Sequence, residues 1–276
     1  TTGQYNVAIG YEALSTATEL DANTAIGYQA LKVQSGSAGT GQNTALGYQA
    51  GVAITSGIQN TLIGASAGDS ITTGNRNVAL GTNALFAATT GQTEGNVAIG
   101  YGAADSLQTG DANVVIGSAA LDSSNTATSH CVIIGARAAD AITSTDADGT
   151  IAIGYYAASA ITTGQYNTTI GYQSMLVETQ GDRSTAVGHR ALSSQNGING
   201  EVHNTAVGYI AGDGITTGKW NTVVGSESGG GTTASGSIHI GKGAGGGVST
   251  GNNNIAIGLM SMDSTVTGDN NIAIGA

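Results

Sequence analysis

An all-β solenoid of about sixteen short coils is the fold class that this 276-residue sequence predicts, and three observations predict it. The first is a repeat: the phrase Asn6-Val7-Ala8-Ile9-Gly10 is rewritten to the last line of the chain. Its glycine falls at Gly10, Gly27, Gly47, Gly64, Gly81, Gly100, Gly117, Gly135, Gly154, Gly171, Gly188, Gly208, Gly225, Gly241, Gly258 and Gly275, at spacings of 16 to 20 residues. A short period held along a whole chain marks a structure in which each repeat buries its apolar face only against its neighbours. The second is the alternation inside the phrase, which is that of a strand. The third is composition: 46 Gly and no Pro, with the glycines in register with aliphatics rather than gathered into a low-complexity tract.

The phrase justifies its strand column by column. The residue before the marker glycine is always Ile, Val or Leu, and two earlier stands Val, Ile or Thr. An i, i+2 pair of this kind shares one face of a strand, and a β-branched run interrupted by glycine is a poor helix. The pair is read as the core side. The other side carries the marker glycine and, in ten of sixteen copies, Ala, so that it is trimmed nearly to the backbone. Such a face fits a tight bend, solvent, or close approach by another backbone. It is read here as subunit-facing, with Ala8, Ala25, Ala45, Ala98, Gly10, Gly27 and Gly100 at the seam. Four before the glycine stands Asn in twelve copies, replaced by Cys131, Thr150, Ser184 and Ser237. Asn tolerates left-handed backbone at a corner, and stacked Asn side chains bond along an axis as an amide ladder.

The return half of each coil is read from Gly64 to Gly81. Ala65 to Ile71 is expected to run back as a second strand, because Ala or Ser stands three after each glycine and an aliphatic near the seventh place: Ile54, Ile71, Leu107, Ile142, Ile161, Ile215, Val248 and Val266. Two strands per coil make a flattened roll, and sixteen coils at about 4.8 Å per strand make a rod of roughly 75 Å. The longer copies gain residues at one corner, within 32–42, 86–95, 141–149 and 193–203, where loops of variable or binding character are expected. The pattern fills residues 1–276 as one repeat domain. Because it starts and stops inside a repeat without polar caps, it reads as a segment of a longer fibrous chain or a unit that stacks end to end.

Charge and chemistry narrow the function classes. A net charge of −11 argues against nucleic acid or an anionic membrane as partner, and no apolar run is long enough to span a bilayer. Cys131 excludes a disulfide framework within the chain. The histidines have no zinc spacing; His239 replaces Ala on the trimmed face, where three converging imidazoles would form if three chains met. Asp146-Ala147-Asp148-Gly149 lacks the remaining carboxylates of a calcium loop. The acids are read as occupying no repeated column, so no row of paired carboxylates is expected, and the chain is read as no enzyme, without cofactor or metal. Seven tyrosines follow the marker glycine directly: Tyr11, Tyr28, Tyr48, Tyr101, Tyr155, Tyr172 and Tyr209. A tyrosine stripe stacks on sugar rings or, more often, covers a thin core or a subunit seam. Tyr5, Tyr166 and Trp220, beside the Asn column, are the candidates for exposed ligand contact. The Thr72-Thr73, Thr162-Thr163 and Thr216-Thr217 pairs leave an ice- or crystal-binding array as a less favoured reading.

The columns in Asn96-Val97-Ala98-Ile99-Gly100 and in Asn23-Thr24-Ala25-Ile26-Gly27-Tyr28-Gln29-Ala30-Leu31 resemble the head repeats of YadA-type trimeric autotransporter adhesins. They are more similar still to repeats of bacteriophage tail-fibre and related virion proteins. The resemblance implies a left-handed parallel β-roll, a homotrimer around one axis, a virion or extracellular location, and attachment to a host glycan or protein receptor. Typical adhesin heads have shorter, more uniform repeats with Ser after the Asn, which turns the expectation toward a fibre. An adhesin head or a self-stacking extracellular filament is the alternative.

Overall fold

The computed structural model describes residues 3–17, 19–36, 39–88, 93–123, 127–143, 147–196, 200–231 and 233–276. The fold is an all-β parallel β-solenoid of about 15 turns, with no α-helix among the described residues. The chain divides into two compact units, Thr1–Arg137 with Thr143–Thr145, and Ala138–Ile142 with Asp146–Ala276. In the first, the strands of the ladder are Val7–Ile9, Thr24–Ile26, Thr44–Leu46, Thr61–Ile63, Val78–Leu80, Val97–Ile99, Val114–Ile116 and Val132–Ile134. In the second they are Ile151–Ile153, Thr168–Ile170, Thr185–Val187, Thr205–Val207, Thr222–Val224, Ile238–Ile240, Ile255–Ile257 and Ile272–Ile274. Within each unit successive strands pair in parallel with like positions opposed, as in Val97↔Val114, Ala98↔Val115 and Ile99↔Ile116.

The faces of the strand are the reverse of the expectation. Ala25, Ala45 and Ala98 are 0 % exposed within a single chain, whereas the flanking aliphatic and β-branched residues point outward. Only Ala8, in the first coil, is exposed. A fully buried side chain has no surface left to give a partner, so Ala25, Ala45 and Ala98 offer none. The physical reason is width. A coil this thin holds one small residue from the strand against one larger residue from the return path. Ala25, Ala79 and Ala186 are therefore matched by Leu31, Leu85 and Leu192 six places on, all buried. In three coils where the strand supplies bulk the match is glycine, Leu62 with Gly68, Val223 with Gly229 and His239 with Gly245, while Ile133 meets Ala139 and Val115 meets Leu121. A Cβ on Gly68 would lie 2.8 Å from a Leu62 methyl. Ile54, Ile71, Leu107, Ile142 and Ile161, at the seventh place, complete the core at 0 % exposed.

The marker glycine does meet another backbone, that of the next coil. Gly100 has φ +133, and a Cβ there would stand 2.6 Å from the carbonyl oxygen of Gly117; Gly10 and Gly27 face Gly27 and Gly47 in the same way. All three are partly or fully exposed on their other side. Only glycine combines this φ with so close an approach.

The return path is a run of turns rather than a second strand: residues 65–70 carry no strand pairing. It alternates hands. The second and fourth residues after the marker glycine are left-handed, as at Gln29 (φ 56) and Leu31 (φ 49). Alternation aims successive N–H groups along the axis in opposite directions. Gln49 donates to the carbonyl of Tyr28 in the preceding coil at 2.8 Å, and Leu31 to that of Ala50 in the following coil at 3.1 Å. Backbone groups of a turn-rich coil are satisfied in this way without a strand.

The Asn column forms the axial ladder. The side-chain oxygen of Asn60 accepts from the backbone N–H and the amide of Asn77 at 3.0 and 3.1 Å, and that of Asn77 accepts from the N–H of Asn96 at 3.1 Å. The substitutes continue it: Cys131 N–H donates to Asn113, and the Ser184 and Ser237 hydroxyls accept from the N–H groups of Asn204 and Asn254. The described parts of the insertions add two parallel side pairs, Leu20–Asp21 with Gly39–Thr40 and Gly181–Asp182 with Gly200–Glu201. Residues 37–38, 89–92, 144–146 and 197–199 of the predicted loops, Asp146 among them, lie outside the described residues.

Candidate functional site

Because the alanines turn inward, the outer face of each ladder carries two columns of β-branched and aliphatic side chains. Their exposure is unusual for such residues: Leu46 45 %, Leu80 43 %, Ile240 39 %, with Ile170, Val207, Val224 and Ile238 close behind. The outer column runs Thr24, Thr44, Thr61 and then Val78, Val97, Val114, so the strip is uncharged. Continuous exposed apolar strips mark interaction surfaces more often than scattered residues do.

The tyrosines after the marker glycine are exposed, and all but Tyr101 stack in columns rather than covering the core. Tyr11, Tyr28 and Tyr48 lie with ring centroids 5.3 and 5.2 Å apart at 13° and 8°. In the second unit Tyr155, Tyr172, His189 and Tyr209 form a second column at 5.7, 5.1 and 5.2 Å, with Tyr156 edge-on to Tyr155. Parallel stacking occupies the ring faces with neighbouring rings, so within these columns the hydroxyl edges face outward while the faces that would take a sugar are covered. His189, unremarked in the sequence, belongs to this column, where its place after Gly188 was the available signal.

Tyr5, Tyr166 and Trp220 are exposed at the corner preceding the Asn column. The parallel register brings Tyr166 and Trp220 into one column with Arg183 and His203, two coils that sequence reading did not connect to them. Tyr5 stands apart in the first unit, four coils before Arg76, which is ion-paired with Glu94 in the same corner column. Glu94 is held below the usual carboxylate range by its hydrogen bonds to Asn75 and Arg76.

The acids do share a column, contrary to the reading from sequence: Asp69, Asp105 and Asp122 in the first unit, and Asp140, Asp213 and Asp263 in the second, each stand five after a marker glycine. Burial raises the carboxyls of Asp69, Asp105 and Asp213 above their ordinary range. Other buried polar groups are structural. Glu178 takes the seventh place of its coil and accepts from the backbone N–H groups of Thr179, Gln180 and Gly181 and from Gln195 at 2.8 to 3.0 Å. His239 sits inside the coil at 2 % exposed, with neither ring nitrogen hydrogen-bonded, and burial lowers its pKa to about 4. Its neighbours are Val223 and Ala256 in the ladder and Gly229 and Gly245 across the core, so it points into its own chain and not toward a three-fold meeting point. Cys131 is buried in the Asn column and forms no disulfide. Of the predicted threonine pairs, the Thr162 hydroxyl donates to the Thr179 carbonyl of the next coil at 3.1 Å. Among the described residues no group of three His, Cys, Asp or Glu side chains is placed to hold a metal ion, and no helix is long and apolar enough to cross a membrane.

The residue columns thus define a β-solenoid with two kinds of outward surface, an apolar sheet face and an aromatic edge. No protein-family model and no curated protein matches the chain.

Proposed function

We propose that this chain is a segment of a structural and adhesive fibre, in which three copies, each a left-handed β-roll, join along their outer sheet faces and support or mediate attachment to a host surface. A virion tail fibre is the reading preferred. The alternatives are the head of a bacterial trimeric adhesin, which uses the same surface, and an extracellular filament that stacks end to end. The observation that carries the proposal is the outward strip of Leu46, Leu80, Ile170, Val207 and Ile240 beside outward Val and Thr. A strip of this kind exposed to water loses about 25 cal/mol for every Å² left uncovered, a cost that association of identical faces removes. Three copies around one axis meet through heterologous contacts that close on themselves, which gives a finite assembly rather than an aggregate. The ladders supply stiffness, because backbone and Asn side chains both bond along the coil axis.

The partner at the surface is a host glycan or protein receptor, and the location is the virion or cell exterior. Light scattering coupled to size exclusion tests the assembly, with three chains per particle expected. Binding of the labelled protein to host cells tests attachment; release of oligosaccharide from envelope material would overturn the non-enzymatic reading.

A further inference from the structure

The corner column five residues before the marker glycine carries Tyr166, Arg183, His203 and Trp220 in four successive coils of the second unit. Their backbones are locked in register: Arg183 N–H donates to the carbonyl of Gln165 at 2.9 Å, and Trp220 N–H to that of Val202 at 2.9 Å. Three rungs separate Tyr166 from Trp220, about 14 Å at the spacing of adjacent strands. All four residues are left-handed, with φ between 54 and 59. Elsewhere in this unit the same corner holds Gly149, Gly236, Asn253 and Asn270, the residue types that accept this conformation most readily. Left-handed geometry is strained for a bulky side chain, and burial does not offset it here. Tyr166 remains 54 % and Trp220 61 % exposed.

The groups between the two rings are matched in charge. The Arg183 guanidinium lies 5.7 Å from the centroid of the Tyr166 ring and is ion-paired with Glu201, whose other oxygen lies 3.5 Å from His203 Nε2. In contrast to the stacked tyrosine columns, Trp220 takes part in no ring stack among the described residues. An apolar ring at each end, with fixed donors and acceptors between, is the chemistry that recognises a chain of sugar rings. The Trp220 face meets the C–H face of a pyranose, the Tyr166 ring, whose face carries the Arg183 guanidinium, offers its edge, and the Arg183–Glu201 pair bonds vicinal hydroxyls. Glu201 and Asp182 balance Arg183 and Lys219, and the chain as a whole carries −11, so an anionic polymer gains nothing here.

We propose that the Tyr166–Arg183–His203–Trp220 column binds a linear, neutral oligosaccharide about three rings long. The proposal rests on the attachment reading above and gives it a site. Trp220 is the chain's one tryptophan, so its emission reports the site directly. The assay titrates the intact protein with neutral β-linked and α-linked gluco-, manno- and galacto-oligosaccharides of three to six rings, and with uronic-acid oligomers. Expected is a saturable change in Trp220 emission with a neutral series, seen also by calorimetry. Trp220→Ala and Tyr166→Ala should each weaken the calorimetric affinity at least tenfold, while Tyr101→Ala, in the other column, leaves it unchanged. No saturable change with any neutral series, binding restricted to uronic acids, or full affinity in Trp220→Ala overturns the site. A protein that fails this assay yet forms trimers loses only the site; one that fails to associate loses the fibre reading.

Discussion

Replacing Asn77 by Ala removes one rung of the buried amide ladder, and the structure sets the cost. The side-chain oxygen of Asn77 accepts from the N–H of Asn96 at 3.1 Å and from its amide at 3.3 Å; its own amide donates to Asn60 at 3.1 Å and to the carbonyl of Thr93 at 2.8 Å. Three of the four partners keep another bond. Asn96 Nδ2 still reaches Gly110, Asn60 still accepts the Asn77 N–H, and the Thr93 carbonyl still accepts from Asn75. The Asn96 N–H is left buried and unpaired. One orphaned buried donor costs about 1–3 kcal/mol and each of the three further bonds about 0.5–1.5, so Asn77→Ala should destabilise by about 2.5–7.5 kcal/mol. Asn77→Ser supplies the acceptor again, as Ser184 and Ser237 do in their coils, and should recover about 2 kcal/mol of the loss. Urea unfolding followed by circular dichroism at fixed chain concentration measures both, and hydrogen exchange at Asn96 locates the effect. A loss under 1 kcal/mol in the Ala variant, or a Ser variant no better than Ala, would refute the ladder as a source of stability.

Three other outcomes follow from the same geometry. Gly100→Ala, which combines φ +133 with a carbonyl 2.6 Å from the new methyl, should unfold the surrounding coils, whereas Gly95→Ala, with φ +66 and nothing within 4 Å, should cost only about 1 kcal/mol by thermal melting. His239 carries no proton in the folded chain until the pH nears 4, while the unfolded chain takes one near 6.5. Stability is therefore unaffected by this group above pH 6.5 and falls by about 3 kcal/mol as pH drops toward 4. His239→Leu, which copies the arrangement of Leu62 between Gly51 and Gly68, should stabilise the protein at pH 7 and remove that part of the acid sensitivity in paired urea titrations. Leu46→Glu with Leu80→Glu, both exposed on the outer face, should leave the far-ultraviolet spectrum unchanged but reduce the assembly to single chains by light scattering.

Much of the fold was legible because each coil repeats the same local chemistry. The strand over Val97–Ile99 was given by its period-two pattern, and the Asn column by a residue that serves both a corner and an axial bond. The faces were misread for a definite reason: an i, i+2 pair of large aliphatics ordinarily marks the core, but this coil is too narrow to hold two of them from one strand. The signal that corrects it was present in the compensation of Ala25 with Leu31 and of Leu62 with Gly68. The return path was misread as a strand because its apolar residues cluster half a period from the phrase. No β-branched residue occupies the fourth place after the marker glycine or the corner before Asn, which is how left-handed positions show themselves. The candidate site was half legible. Tyr166 and Trp220 stood out singly, while their grouping with Arg183 and His203 depends on in-register stacking across insertions of different length.

We propose that the outward apolar columns join copies of this chain. Sedimentation equilibrium of the purified protein at micromolar concentration tests it most directly. The account predicts a particle of three times the 26.9 kDa chain mass; a soluble species of one chain mass across the accessible concentrations would contradict it.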